Sequence, residues 1–243
     1  SATWEELIQS VRAKVKGTKA KLRLGASSGE WKAMVADETA RTVFAKNIKK
    51  VLQQHKLDGI DLDFEWAENA KEYEDYSQAI LKMREVLGID IYSVCRCILF
   101  AIRLARKQLR QSILFHFNVT ALHRYVFPIE KYCSDIQMVL DYGIPKEKLV
   151  AGVPFYGVTK DNSKKTEAYF SFVQDGLVTG PAQNEVTYKA DVYVFDGQDN
   201  IRTKTRYTKE QGLRGMMSWD LATDLPLSDS RSLLKAMIEE LKR

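Results

Sequence analysis

Apolar positions along the 243-residue chain recur at two periods, one helical and one alternating, and the switches between them mark out its elements. Thr3 and Glu6 form a capping box, and Leu7, Ile8, Val11 and Val15 follow at helical spacing, which predicts a helix over 3–16. KLRLGASSG at 21–29 alternates and then runs into small residues, as a short strand entering a loop does. Asp37 opens a second helix with Val43, Phe44, Ile48, Val51 and Leu52 on one face. The strand LDGIDLDFEW at 57–66 comes next. Tyr73, Tyr76, Ile80, Met83 and Leu87 then predict a third helix from Asn69, closed by Gly88, and IDIYSV at 89–94 reads as another strand.

In the second half, Ser134 is positioned to cap DIQMVLDY, with Gly143 and Pro145 as stop signals. KLVAGVPFYG at 148–157 is apolar enough for a buried strand. Residues 158–200 carry polar turns and a hairpin-like VYVFDGQDNIRT, an expected insertion beside the core. TKEQ is expected to begin a short helix, GMMSWDL at 215–221 a last strand, and Leu233, Leu234, Met237, Ile238 and Leu241 line a terminal helix. Strands alternating with helices predict a parallel α/β sheet, open or closed into a barrel. With no internal repeat or low-complexity linker, residues 1–243 are expected to form one domain.

Composition narrows the classes. About 45% of the residues are apolar, enough for a large core, yet no run approaches the roughly 18 to 20 apolar residues of a membrane span. SATWEELIQS has no basic flank followed by an apolar core, so the given chain shows no signal peptide. Cys95, Cys97 and Cys133 fit neither a disulfide framework nor a CxxC metal site. His55, His116 and His123 lack metal-ligand spacing and read as surface or loop residues. No metal and no cofactor is expected.

The net charge of +5 is local. From Ile91 to Ile129 there is no Asp or Glu, while Arg96, Arg103, Arg106, Lys107, Arg110 and Arg124 contribute six positive charges; the rest carries 31 basic and 32 acidic residues. Without a recognisable module or interleaved aromatics, nucleic-acid binding is not expected.

The strand LDGIDLDFEW holds the candidate chemistry. Side chains alternate along a strand, so Ile60, Leu62 and Phe64 share one face and Asp61, Asp63 and Glu65 the other. Carboxylates spaced by about 6.5–7 Å per two residues in a confined site repel one another, which raises at least one pKa and suits the outermost, Glu65, to act as a general acid. The same alternation also fits a solvated edge strand with an acidic face. A calcium loop is a weaker rival, since the glycine and terminal glutamate spacing of an EF-hand is absent.

DGIDLDFE at 58–65 resembles the DxxDxDxE signature of glycoside hydrolase family 18, the chitinases and endo-β-N-acetylglucosaminidases. KLRLGASSG resembles that family's third strand segment, GIPKEKLVAGVPFYG its seventh, and GMMSWDLATD its eighth, in family order. The resemblance implies a (β/α)8 TIM barrel and hydrolysis of β-1,4-linked N-acetylglucosamine glycans, chitin or chito-oligosaccharides, by substrate-assisted retention. It implies that Glu65 protonates the glycosidic oxygen, that Asp63 orients the 2-acetamido group, that Asp61 shares charge with Asp63, that Trp219 floors the −1 subsite, which holds the sugar being cleaved, and that Tyr156 lines the cleft. Apart from the resemblance, Trp219 on a core strand reads more readily as packing than as a ligand platform, and Tyr156 similarly. A secreted or cell-envelope location is favoured by the resemblance. Endo-β-N-acetylglucosaminidase action on N-glycans and a catalytically impaired, lectin-like glycan binder are the alternatives.

Two departures accompany the resemblance. The family's first two strands have no counterpart in the sequence as given, so at most six of eight are expected. The segment SILFHFNVTAL at 112–122 also lacks the tyrosine that the family's sixth strand segment implies, an aberrant strand-five to strand-six region. Codons of this stretch read from their third base permit Asp-Phe-Ile-Ser-Phe-Gln-Cys-Tyr-Gly, with the glutamine forced because its alternative is a stop. A compensated frameshift over roughly 95–127 would account for the missing acids and excess arginine together; a divergent basic helix is the alternative.

Overall fold

A computed structural model describes residues 3–27, 30–63, 68–88, 91–95, 113–117, 128–141, 143–161 and 165–243. They cluster into two compact units, one within residues 3–95 and one built on residues 115–243.

In the first unit, helix α1 (Trp4–Val15) begins at the predicted capping box: Glu6 N–H donates to Thr3 Oγ1 at 3.2 Å and Thr3 N–H to Glu6 Oε2 at 2.7 Å. Strand β1 (Arg23–Ala26) leads to a short helix α2 (Trp31–Ala36) that the apolar pattern did not reveal, because six residues are too few to show a period. Helix α3 (Glu38–Gln54) is capped by Asp37, whose carboxylate accepts from Ala40 N–H at 2.6 Å. Helix α4 (Ala70–Leu87) is capped by Asn69 and closed by Gly88 in the left-handed region (φ 65°), as predicted. Between them run β2 (Gly59–Leu62) and, after α4, β3 (Ile91–Cys95). The strands pair in parallel in the order β1-β2-β3, with Asp61 opposite Gly25 and Tyr92.

Helices α2, α3 and α4 pack on one another. The buried residues Ile48, Leu52, Ile80 and Met83 form the apolar stripe predicted from their spacing, and Trp31 meets Tyr76 with ring centroids 5.6 Å apart. Each such side chain contributes about 1.5–3 kcal/mol on burial, before the entropy of ordering it is subtracted. Helix α1 is tied to the end of α3, where His55 Nδ1 lies 2.8 Å from Glu5 Oε2.

In the second unit, β4 (Ile113–Phe117), β5 (Leu149–Pro154) and β10 (Gly215–Trp219) pair in parallel in the order β4-β5-β10. SILFHFNVTAL thus contains a strand, and His116 stands on it rather than on a loop. His123 lies outside the described residues. Every residue of β5 is buried. The predicted single strand over 148–157 is divided at Phe155: β5 ends at Pro154 and β6 (Tyr156–Thr159) belongs to a second, antiparallel sheet. That sheet runs β7-β6-β9-β8, with β7 (Thr166–Ala168), β8 (Glu185–Tyr188) and β9 (Asp191–Val194), and helix α6 (Tyr169–Gln174) follows β7.

Phe172 of α6 centres an aromatic cluster with Tyr188, Tyr193 and Phe195, at centroid distances of 5.5–5.6 Å. Its ring lies so close to Gly157 that a Cβ there would stand 2.7 Å from it, so this position requires glycine.

Several sequence expectations need correction here. The hairpin is β8–β9, turning at Lys189 and Ala190 with positive φ, whereas DNIRT of VYVFDGQDNIRT already belongs to helix α7 (Gln198–Glu210). TKEQ closes that helix instead of beginning one. Helix α5 (Ile129–Asp141) starts before Ser134, which donates to the Lys131 carbonyl from inside the helix. The last strand ends at Trp219, and Leu241 of the terminal helix α8 (Leu233–Lys242) is exposed while Leu233, Ala236 and Met237 are buried.

Candidate functional site

Strand β2 carries Asp61, and Asp63 follows its end directly, so the strand is shorter than the predicted 57–66 among the described residues. Ile60 and Leu62 are fully buried, whereas Asp61 is only half-buried on the opposite face. The strand is held on both sides: by β1 and β3 along its length, by the Asp63 N–H donating to the Ala26 carbonyl at 2.9 Å, and by the Tyr76 hydroxyl donating to the Leu62 carbonyl at 3.4 Å. Asp61 and Asp63 are both half-buried, and each has one carboxylate oxygen out of contact with solvent. Beside Asp61, Gly25 is exposed, and a Cβ built there meets nothing within 4 Å among the described residues.

The first acid of the motif has a different task. Asp58 accepts from the Leu22 backbone N–H at 2.8 Å and from Lys21 at 3.4 Å, clamping the entry of β2 to that of β1. The Leu22 hydrogen bond, with Lys21 beside it, holds the Asp58 carboxyl below the usual carboxylate range. Glu65 lies outside the described residues, as do Phe64 and Trp66.

In the second unit, Trp219 and Tyr156 meet at one cavity of about 340 Å³, lined also by Thr166, Glu167, Ala168 and Thr223. Trp219 is 54% exposed and lines this cavity. The backbone fixes it there. Trp219 pairs with Pro154 across β5–β10, its carbonyl accepts from Phe155 N–H at 2.8 Å, and the following peptide to Asp220 is cis. Asp220 and Thr223 then form a capping box that shapes the cavity's edge.

Behind β10, helix α7 supplies a rigid backing. Tyr132 shares a 2.7 Å hydrogen bond with Thr208 and donates to Met216 Sδ at 3.5 Å, and burial pushes its hydroxyl well above the usual tyrosine range. Thr166, Glu167 and Thr223 were not legible as site residues, since only the tertiary fold brings them to Trp219. Among the described residues, no group of His, Cys, Asp or Glu is arranged to hold a metal ion.

A family model described as glycosyl hydrolases family 18 matches residues 3–224. The chain belongs to this family. Among curated relatives, a protein named "Probable chitinase 2" from Drosophila melanogaster is 20% identical over 265 residues, covering 81% of this chain and 54% of its own. The chain spans about half the length of that relative and of the "Endochitinase" of Brugia malayi. Among solved structures, a chitinase from Bacteroides thetaiotaomicron superposes with a TM-score of 0.80 at 18% identity, covering 96% of this chain and 80% of that one. A class V chitinase from Nicotiana tobaccum, a mutant in complex with NAG4, gives 0.75 at 14% identity, covering 98% and 85%. A chitinase-like agglutinin from Robinia pseudoacacia gives 0.73 at 17% identity, again covering 98% and 85%. These likenesses give the chain the TIM-barrel-like α/β fold of the family 18 chitinases.

Proposed function

We propose that this family 18 chain is a chitinase-type glycosidase that cleaves β-1,4-linked N-acetylglucosamine glycans by substrate-assisted retention. The observation that supports the reading is the acidic end of β2, with Asp61 on the strand and Asp63 directly after it, both half-buried, in a motif that runs on in sequence to Glu65. In this reading Glu65 donates its proton to the glycosidic oxygen. Asp63 orients the 2-acetamido group, whose carbonyl oxygen attacks the anomeric carbon, and stabilises the positive charge that develops on it. Asp61 shares charge with Asp63. Trp219 provides the sugar platform, with Tyr156 beside it.

Substrate assistance follows from the spacing of the acids. An ordinary retaining glycosidase places its acid and nucleophile about 5–5.5 Å apart on opposite sides of the bond. By the alternation of the sequence Asp63 and Glu65 are expected on one side, so the motif supplies no nucleophile for the opposite face, and the substrate's own acetamide fills that role. An N-acetylhexosamine is therefore the required sugar. Neither a metal nor a cofactor enters the chemistry. We read residues 1–243 as one barrel domain with an insertion over about 158–200, divergent between the fifth and sixth strands, in a secreted or cell-envelope protein. No described helix is long and apolar enough to cross a membrane.

A lectin-like glycan binder is the second reading, favoured by the likeness to the Robinia pseudoacacia agglutinin and by the missing tyrosine in 112–122. Product analysis on chito-oligosaccharides and a high-mannose glycopeptide, followed by proton NMR, tests the proposal. Early products with the β-anomer and an intact acetamide are expected. Early α-anomer, or cleavage that proceeds equally well without the acetamide, would overturn it.

A further inference from the structure

One wall of the Trp219 cavity is carried by a turn that closes on itself. Asp220 N–H donates to Thr223 Oγ1 at 3.3 Å, Thr223 Oγ1 to the Asp220 carbonyl at 2.9 Å, and Ala222 N–H to the Asp220 carboxylate at 2.8 Å. Trp219, just before this turn, and Thr223, at its end, both line the cavity. The turn is well formed but stands in solvent: Leu221 within it is 63% exposed and Trp219 54%. Packing alone therefore holds little of this wall. The first buried residues after β10 are Asp224 and Leu225. Burial of Leu225 is non-directional, so the angle at which the wall stands is left to the hydrogen bonds of Asp224.

Those bonds are three, and they converge on one place. Asp224 Oδ2 accepts from Ser232 Oγ at 2.9 Å and from Leu234 N–H at 2.8 Å, and Oδ1 accepts from Leu233 N–H at 3.0 Å. Leu233 and Leu234 open α8, so the carboxylate meets two N–H groups that a helix start leaves without intrahelical acceptors, at the positive end of its dipole. The receiving end is itself fixed. Gln198, at the start of α7, donates to the Ser230 and Ser232 carbonyls at 2.8 and 3.2 Å, and Asp229 accepts from Arg231 at 3.0 and 2.7 Å. The Tyr169 hydroxyl donates to the Arg231 carbonyl at 3.3 Å, and Tyr169 directly follows Ala168 of the facing cavity wall. Both walls are thus tied to the segment at 230–234.

We infer that Asp224 is a positioning residue: it anchors the Trp219–Thr223 turn to the start of α8 and so sets where the sugar platform stands relative to Tyr156 and β7. It acts through Trp219 and Thr223. A carboxylate is required because each of its oxygens accepts from a different backbone N–H. Asp224→Asn keeps the size, but whichever way the amide turns, its nitrogen faces one of those N–H groups as a second donor.

The inference rests on the proposed function, in which Trp219 floors the subsite of the sugar being cleaved, and a double-mutant cycle separates the two. Chitotetraose affinity is measured by calorimetry in the Glu65→Gln background, with and without Asp224→Asn and with and without Trp219→Ala, alongside chemical unfolding. Trp219→Ala alone is expected to weaken binding on the order of tenfold, and in the Asp224→Asn protein by only about 2- to 3-fold, because the displaced indole no longer meets the sugar. A merely structural role would lower the unfolding midpoint and leave the Trp219→Ala effect undiminished. Ser232→Ala removes one donor to Asp224 and leaves both backbone hydrogen bonds; it should show the same coupling to a smaller extent, and it decides the matter if Asp224→Asn does not fold. With Glu65 intact, Asp224→Asn should lower kcat/KM for a fluorogenic chitobioside on the order of tenfold. An undiminished Trp219→Ala effect in both variants overturns the role of Asp224 alone. Absence of chitotetraose binding by the Glu65→Gln parent overturns the functional reading and this inference with it.

Discussion

Replacing Lys204 by methionine isolates one buried charge pair on which the backing of the Trp219 cavity depends. Lys204 of α7 is 1% exposed and Asp196, at the exit of β9, is fully buried. The Lys204 ammonium donates to both Asp196 oxygens at 2.7 Å, and Asn200 adds a longer hydrogen bond at 3.3 Å. The pair fastens the end of the antiparallel sheet to the helix that packs on β10, the strand carrying Trp219. Lys204→Met keeps the apolar stem but leaves the Asp196 carboxylate buried with the Asn200 contact alone. Breaking a buried pair this way costs about 3–5 kcal/mol, whereas removing both charges in an Asp196→Leu/Lys204→Met protein costs much less. For a chain of this length the single replacement corresponds to a fall in Tm of about 6–20 °C.

The pH dependence gives an independent sign. Burial pushes the Asp196 carboxyl up, opposed by the charge and hydrogen bonds of Lys204 and by Asn200. Without Lys204 the upward push dominates, so the folded state binds the Asp196 proton more tightly than the unfolded state does. Stability then falls as pH rises from the unfolded carboxylate pKa through the folded one. The loss relative to wild type should therefore be smaller at pH 4 than at pH 7.5. Reversible denaturant unfolding at both pH values measures this. A destabilisation below about 1 kcal/mol that does not vary with pH would refute the reasoning.

Two further outcomes are expected. Trp219→Ala should weaken chito-oligosaccharide binding on the order of tenfold by calorimetry, while chemical unfolding shifts by less than about 1 kcal/mol because the indole is largely exposed. The coding sequence of residues 112–121, read from the third base of each codon, should encode Asp-Phe-Ile-Ser-Phe-Gln-Cys-Tyr-Gly if the frame is compensated; any other reading there removes the frameshift idea.

The elements most legible in the sequence are those whose own residues supply both the boundary and the buried face. Helices α3 and α4 have side-chain caps at Asp37 and Asn69 and bury most of an apolar stripe at helical spacing, with Val43 of α3 left exposed; α1 has its cap at Thr3 but buries only Ile8 of its predicted face and leaves Leu7 exposed. Helix α7 lacks both signals: Gly197 offers no side-chain cap, and its buried positions include Gln198, Lys204, Thr205 and Thr208, polar residues satisfied by tertiary partners. No apolar period exists there to read. Helix α5 is mis-started at Ser134 for a related reason, since Asp135 resembles the polar start of a helix but is fully buried within one, paired with Lys131.

The site divides in the same way. The pairing of Asp61 with Asp63 follows from alternation alone, because the two are separated by one residue at the end of β2. Trp219 and Tyr156 could be singled out only through the family resemblance. Glu167 had no signal, as it lies 52 residues from Trp219 and joins it only when the antiparallel sheet folds.

Glu65 is the residue on which the proposed chemistry turns. Hydrolysis of a fluorogenic chitobioside by the wild-type chain and by Glu65→Gln, without added metal, should give measurable turnover for the first and a rate lower by about 10²–10⁴-fold for the second, the usual contribution of a general acid. Equal rates for the two proteins would contradict the assignment of Glu65, and chitobioside binding without turnover by the wild type would leave the glycan-binding reading in its place.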